Sequence, residues 1–251
     1  MFAGEAAAIL EPRSGWMKGK DKALPATASE ADVATFLETL ARTPAAGDGR
    51  GRLLFALDAT ASRQPTWDRA ARLQADMFMA AAGLGGLAIQ LCFYRGFGEF
   101  RASPWVTDAA RLVRMMTGVQ CRAGETQIRK VLQHAINEAS RERIGALVFV
   151  GDCMEENIDA LGARAGELGT LGVPAFMFHE GSDLRAELAF KEIARLTSGA
   201  YCRFDAGSAD ALRALLCAVA VYAAGGHRAL TRLADGGSGV ARQIALQLAR
   251  R

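Results

Sequence analysis

The sequence has little excess charge and no cysteine pattern, and both absences narrow the classes of function. Its 251 residues carry a formal net charge of +3, and no basic stripe alternates with aromatic residues. Nucleic acid is therefore a poor candidate partner. The five cysteines are scattered and form no C-x-x-C pair. Such a set is typical of reduced thiols in the cytoplasm, not of a disulfide framework.

Long hydrophobic runs are absent as well. The longest apolar stretch covers residues 214–224, which is too short to span a bilayer. The N-terminus has no charged-then-apolar signal segment. We therefore expect a cytoplasmic protein without a membrane partner. The apolar fraction of 51% is ordinary for a globular protein, and a chain of this length can fold without disulfides or a structural metal.

Short apolar runs alternate with helical patterns through the middle of the chain. The apolar runs predict strands at residues 53–57, 87–94, near 99–101, 146–150, 173–178 and 200–204. Apolar residues at helical spacing predict helices at residues 66–82, 107–116, 127–141, 156–168, 183–197 and 208–223. This alternation predicts an α/β fold, namely a doubly wound, mostly parallel sheet with helices on both faces.

The sequence divides into one α/β domain with an extension at each end. Residues 1–50 are predicted to be flexible except for one amphipathic helix around residues 33–40. Residues 51–224 form the α/β domain, and residues 225–251 form a C-terminal tail with a short helical stripe at residues 240–248. Both the N-terminal helix and the stripe fit either packing on the domain or docking on a partner.

Oxygen-bearing side chains follow the ends of two predicted buried strands. Asp58, Thr60 and Ser62 alternate after the first strand, Asp152 follows a later one, and Thr126 opens a helix between them. Ligands of doubly wound sheets bind beyond the carboxyl ends of the strands, so we expect these side chains to converge. Two carboxylates in a partly dry crevice repel each other, and a divalent cation removes that cost. Such oxygens suit Mg²⁺ or Mn²⁺ better than zinc, and the choice between the two stays open.

The same residues resemble the metal-ion-dependent adhesion site (MIDAS) of the von Willebrand factor A (VWA) domain family. That site has the pattern D-x-S-x-S after the first strand, a threonine from a middle loop and an aspartate at the end of a later strand. Asp58 and Ser62 match the outer positions of the first motif, and Thr60 replaces its first serine. Thr126 and Asp152 match the other two roles. The family usually has Ser/Thr-Asp-Gly at the later strand, where this chain has G-D-C.

The resemblance covers residues 53 to about 223, and it implies an intracellular bacterial member of the family. It implies a metal-ion-dependent protein-binding module and not an enzyme. Mg²⁺ or Mn²⁺ held by the five side chains would be completed by an acidic side chain of a partner protein. Family members inside bacterial cells often look like partners of ATPases or assembly complexes, so the resemblance also implies a partner of that kind.

Two other functions are compatible with these residues. A metal-dependent hydrolase, such as a phosphatase, could use Asp58 as its nucleophile, although Thr60 stands where enzymes that look like haloacid dehalogenases carry a second aspartate. The third hypothesis is a fold that has lost its metal. Simpler local roles also stay open: the first motif as a turn that caps the next helix, and Thr126 and Asp152 as helix N-caps.

Neighbouring residues have structural and functional interpretations. Glu155 and Glu156 favour the first turn of the following helix, or they add negative charge beside the metal. Cys153 lies at a predicted helix start, where the dipole lowers the pKa of a thiol, but no histidine is assigned beside it. His134 and His179 have no partner at ligand spacing, and we interpret them as structural.

Overall fold

The structure is a computed structural model, and it describes residues 30–44, 51–64, 87–205 and 209–235. The strands in these residues are β1 Arg52–Asp58, β2 Ala88–Arg95, β3 Glu99–Ala102, β4 Ala146–Gly151, β5 Ala175–Glu180 and β6 Tyr201–Phe204. The helices in the same residues are α1 Glu30–Arg42, α2 Ala109–Thr117, α3 Ile128–Ala139, α4 Ile158–Thr170, α5 Leu184–Leu196 and α6 Ala209–Asp235. The predicted helix at residues 66–82 and the stripe at residues 240–248 lie outside the described residues.

The strands form one sheet in the order β3-β2-β1-β4-β5-β6. All neighbouring strands run parallel except β3, which pairs antiparallel with β2. From β1 the chain adds strands first on one side and then, starting with β4, on the other. The strand order therefore reverses between β1 and β4, and ligands of doubly wound sheets bind beyond the strand ends at such a reversal.

The two faces of β1 belong to two separate hydrophobic clusters. Leu53, Phe55 and Leu57 pack on one side with residues of α1, α2 and α6. Leu54 and Ala56 pack on the other side with residues of α3, α4 and α5. The alternation follows from the period of two in a strand, and the cover on both faces explains the continuous apolar run. The predicted doubly wound α/β fold is confirmed.

Helix α1 packs on the domain. Phe36 is 1% exposed, and its ring centroid lies 5.8 Å from that of Phe176 and 5.3 Å from that of Phe178, both on β5. Just after the helix, the Thr43 hydroxyl donates to the Ser198 carbonyl at 3.2 Å. Of the two roles that the sequence leaves open for this helix, the structure shows packing on the domain.

Helix α6 continues beyond the end predicted at residue 223. Gly225 and Gly226 leave helical geometry, with φ +58 at Gly226, and the helix then runs to Asp235. Glycine adopts a positive φ at little steric cost, so the glycine pair forms a kink between two helical segments. Despite the length of α6, none of the helices described here is long and apolar enough to cross a membrane.

Candidate metal centre

Asp58 and Asp152 are close together because β1 and β4 are paired in parallel. A carboxylate oxygen of each aspartate and the Sγ of Cys153 all lie within 4.8 Å of one another. There is no room for a side chain at Gly151, the first residue of the G-D-C turn, because a Cβ there would lie 2.7 Å from the Phe149 ring.

The first motif forms a hydrogen-bonded turn at the end of β1. The Thr60 N–H donates to Asp58 Oδ1 at 2.7 Å, and the hydroxyl oxygens of Thr60 and Ser62 lie 3.0 Å apart. The following 3-10 turn, Ala61–Arg63, receives no side-chain cap from Thr60. The helix predicted at residues 66–82 lies outside the described residues, so the alternative role of the motif as its cap stays open.

Thr126 belongs to a loop that is bonded to the ends of both β1 and β4. The Arg122 N–H donates to the Ala59 carbonyl, just after β1, at 3.0 Å. Thr126 bonds to the loop after β4, where its Oγ1 accepts from the Glu155 N–H at 3.0 Å. Residue 127, not Thr126, is the N-cap of α3, so the N-cap interpretation of Thr126 is wrong. These contacts bring Thr126 to the sheet edge where both aspartates lie.

Two predictions for residues near Asp152 are also wrong. Asn157 and not Asp152 caps α4, and its side chain accepts from the Ala160 N–H. Glu155 and Glu156 precede α4 and bond instead to residues that open α3. Acidic residues are attracted to a helix N-terminus, as expected, but the helix is α3 and not α4, which is the next helix in sequence.

The carboxylates of the site are costly without a counter-charge. Asp58 is 0% exposed, and burial raises the pKa of Asp58 to about 6, with the charge of Asp152 adding to the shift and hydrogen bonds from Thr60 and Tyr94 opposing it. Oδ1 of Asp152 is buried and accepts no hydrogen bond from any residue that the structure describes. A buried carboxylate oxygen that accepts no hydrogen bond is unfavourable, so the two carboxylates fit a bound cation.

Cys153 does not turn the cluster into a typical zinc site. Burial, together with the carboxylates of Asp152 and Asp58, raises the pKa of Cys153 to about 12. This is opposite to the lowering considered from its place in the sequence. Zinc sites combine several sulfur and histidine ligands, whereas the cluster among the described residues contains one thiol and no histidine. The oxygens therefore favour Mg²⁺ or Mn²⁺.

The two histidines bond to a hydroxyl, a backbone carbonyl and a side-chain amide, which fits a structural role. The His179 ring has Nδ1 at 3.0 Å from the Tyr201 hydroxyl and Nε2 at 3.3 Å from the Asp152 carbonyl oxygen. His134 Nε2 lies 2.8 Å from Gln90 Oε1. Burial lowers the pKa of both rings. Both rings are therefore neutral at neutral pH and add no positive charge to the acidic cluster.

Tyr94 contacts the site, although the sequence analysis did not single it out. Its register partner in β1 is Asp58, and its hydroxyl donates to Asp58 Oδ2 at 2.9 Å. The side chain is 0% exposed, and burial and the Asp58 charge raise the pKa of Tyr94 well above its usual range. The hydroxyl therefore keeps its proton and stabilises the anionic form of Asp58.

We expect Tyr94→Phe to weaken Mg²⁺ binding about 10-fold, because hydrogen bonds to metal ligands have effects of this size. The loss should grow as the pH falls towards the pKa of Asp58, since Asp58 then takes up a proton more readily. Isothermal titration calorimetry at two pH values measures both effects. Tyr222→Phe is the matched control, because Tyr222 is also 0% exposed but donates to the Pro44 carbonyl. Equal affinities in the wild type and Tyr94→Phe would contradict the assigned role.

Arg63 is a second residue near the site that the sequence analysis did not identify. Its side chain is 0% exposed and forms an ion pair with Glu180 at the end of β5. Burial lowers the pKa of the Arg63 guanidinium, and the charges of Asp152 and Asp58 oppose this shift. Arginine stays charged in proteins, so a permanent positive charge lies within electrostatic reach of both aspartates.

Comparisons with known proteins support the fold alone. No protein-family model matches the chain, and no curated protein matches it either. The SpRpn10 VWA domain is similar with a TM-score of 0.53 and 14% identity, over 67% of this chain and 93% of that one. A von Willebrand factor type A structure from Catenulispora acidiphila has a TM-score of 0.56 and 15% identity, over 70% of this chain and 44% of that one. The fold is therefore VWA-like.

A third similar structure has a different context. The PilB minor pilin from Streptococcus sanguinis is similar with a TM-score of 0.52 and 7% identity, over 70% of this chain and 62% of that one. Proteins that are described so differently share this fold. The fold therefore does not determine the function, which has to be argued from the site.

Proposed function

We propose that this chain is a metal-ion-dependent protein-binding module. Mg²⁺ or Mn²⁺ would be held by Asp58, Thr60, Ser62, Thr126 and Asp152, and an acidic side chain of a partner protein would complete its coordination. The observation that carries the proposal is the buried Asp152 Oδ1, which lacks a hydrogen-bond donor among the described residues, beside a second carboxylate within 4.8 Å.

The contacts suggest a different role for each carboxylate. Asp152 Oδ1 has no competing donor among the described residues, so it is the strongest direct ligand. Each Asp58 oxygen already accepts one hydrogen bond, from the Thr60 N–H or the Tyr94 hydroxyl, although an ionised carboxylate has about four lone-pair sites. When bound, the cation would offset both negative charges and attract a further carboxylate from outside.

Binding is favoured over hydrolysis by the burial of Asp58. An aspartyl nucleophile has to reach its substrate, whereas Asp58 is 0% exposed and both of its oxygens accept hydrogen bonds. Thr60 also occupies the position of the second carboxylate that the hydrolase hypothesis needs. We therefore propose a non-enzymatic role, and we propose, from the family resemblance, a partner from a bacterial ATPase or assembly complex in the cytoplasm.

The test is capture of a partner from a native lysate with immobilised protein, in Mg²⁺ and in EDTA. We expect Mg²⁺-dependent capture that Asp58→Ala abolishes, while circular dichroism shows that the variant remains folded. Glu167→Ala is the control, because Glu167 is an exposed residue in the last turn of α4, paired with Arg164. Capture that persists in EDTA or in Asp58→Ala would contradict the mechanism. Phosphatase turnover in Mg²⁺ that Asp58→Asn removes would favour the hydrolase.

A further inference from the structure

Glu156 bonds to a helix that belongs to a different part of the chain. Its Oε1 accepts from the Ile128 N–H at 2.5 Å, and its Oε2 accepts from the Arg129 N–H at 3.0 Å. These residues open α3, whose own N-cap residue, Gln127, supplies no side-chain cap. The Glu156 carboxylate therefore replaces the missing cap, at the helix end where a negative charge is stabilised.

The same loop holds both polar groups of Thr126. The Glu155 N–H donates to Thr126 Oγ1 at 3.0 Å, and the Glu155 carboxylate accepts from the Thr126 N–H at 3.1 Å. Thr126 is thereby tied to the loop that also supplies the Glu156 cap of α3.

These contacts determine which part of the Thr126 hydroxyl faces other ligands. A hydroxyl has one donor position and two acceptor lone pairs. The bond from the Glu155 N–H uses one of these lone pairs. The second lone pair of Oγ1 is left as a ligand position, and a lone pair is what a cation requires.

We infer that Glu156 is a positioning residue for the cation site. Its carboxylate caps the start of α3, two residues after Thr126, and it thereby joins the Thr126 segment to the loop that follows Asp152. Two ligands from separate segments are thereby held as one unit. The inference rests on the proposed function, because it concerns the same cation.

The test is a double-mutant cycle on Mg²⁺ affinity, measured by isothermal titration calorimetry. Glu156→Gln keeps the side-chain shape but removes the charge and one acceptor. We expect it to weaken Mg²⁺ binding about 10-fold. We also expect Glu156→Gln combined with Thr126→Ala to bind no more weakly than Thr126→Ala alone, because Glu156 acts through Thr126. Amide hydrogen exchange at Ile128 and Arg129 should become faster in Glu156→Gln, which reports the lost cap without any metal.

Asn157→Ala is the matched control in the same loop. Asn157 Oδ1 accepts from the Ala160 N–H at 2.9 Å, so the variant removes a helix cap without touching Thr126. Equal losses of Mg²⁺ affinity in Asn157→Ala and Glu156→Gln, or additive losses in the cycle, would overturn the positioning role while the proposed function stands. A wild-type protein that binds neither Mg²⁺ nor Mn²⁺ would overturn the proposed function and this inference with it.

Discussion

Replacing Asp58 by asparagine is expected to abolish Mg²⁺ binding and, at neutral pH, to stabilise the metal-free protein. Burial raises the pKa of Asp58 from 3.8 to about 6, so the folded protein binds this proton more tightly than the unfolded chain does. The stability that the protonated carboxyl contributes is fully present below about pH 4 and is lost as the pH rises through 6. A shift of this size corresponds to about 3 kcal/mol at neutral pH.

Asparagine avoids this loss because it is neutral at every pH. Its amide oxygen can still accept from the Thr60 N–H, and its amino group can donate to the Tyr94 hydroxyl. Urea denaturation in EDTA should show similar stabilities for wild type and Asp58→Asn near pH 4 and a growing advantage for the variant towards neutral pH. A variant that is less stable than wild type at neutral pH in EDTA, or that binds Mg²⁺ with unchanged affinity, would contradict the assignment.

Replacing Arg63 by methionine is expected to have the largest destabilising effect of the substitutions considered. The change removes the arginine that forms an ion pair with Glu180, and it removes a positive charge within electrostatic reach of both aspartates. Breaking a buried ion pair by removing one partner costs about 3–5 kcal/mol of the free energy of unfolding. Bound Mg²⁺ would supply positive charge to the same two aspartates. We therefore expect added Mg²⁺ to stabilise Arg63→Met more than wild type. Urea denaturation with and without Mg²⁺ measures both quantities.

Arg52→Met is the control for this prediction. Arg52 is also buried in an ion pair, with Glu138 and Glu142, but it lies at the opposite end of β1. Its loss should destabilise the protein without changing the effect of Mg²⁺. Equal Mg²⁺-induced stabilisation in wild type and Arg63→Met would show that Arg63 does not compensate the charge of the site.

The fold and the meeting of the two aspartates were predictable from the sequence. Apolar runs of strand length between helical patterns imply a parallel sheet, and parallel strands place Asp58 and Asp152 at the same edge. The helix around Phe36 could also be predicted, because its apolar residues recur at helical spacing. Each of these predictions depends on patterns within one segment together with a general rule of topology.

Contacts between distant segments could not be predicted in this way. Tyr94 reaches Asp58 only because the two are register partners, and register does not follow from the strand patterns alone. Glu156 precedes its own helix in sequence but caps α3, since the nearer helix is capped by Asn157. The direction of the Arg63 side chain depends on the 3-10 turn after the first motif. Tertiary packing decides all three.

The burial of β1 and β4 on both faces has a consequence for the dynamics of the site. Strands buried in this way open locally less often than peripheral helices or loops, because opening exposes apolar surface on both sides. Asp58 ends one such strand and Asp152 follows the other, so the two carboxylates keep their spacing while outer elements fluctuate. A cation would meet a preorganised pair of carboxylates, and little conformational entropy would be lost in assembling the site.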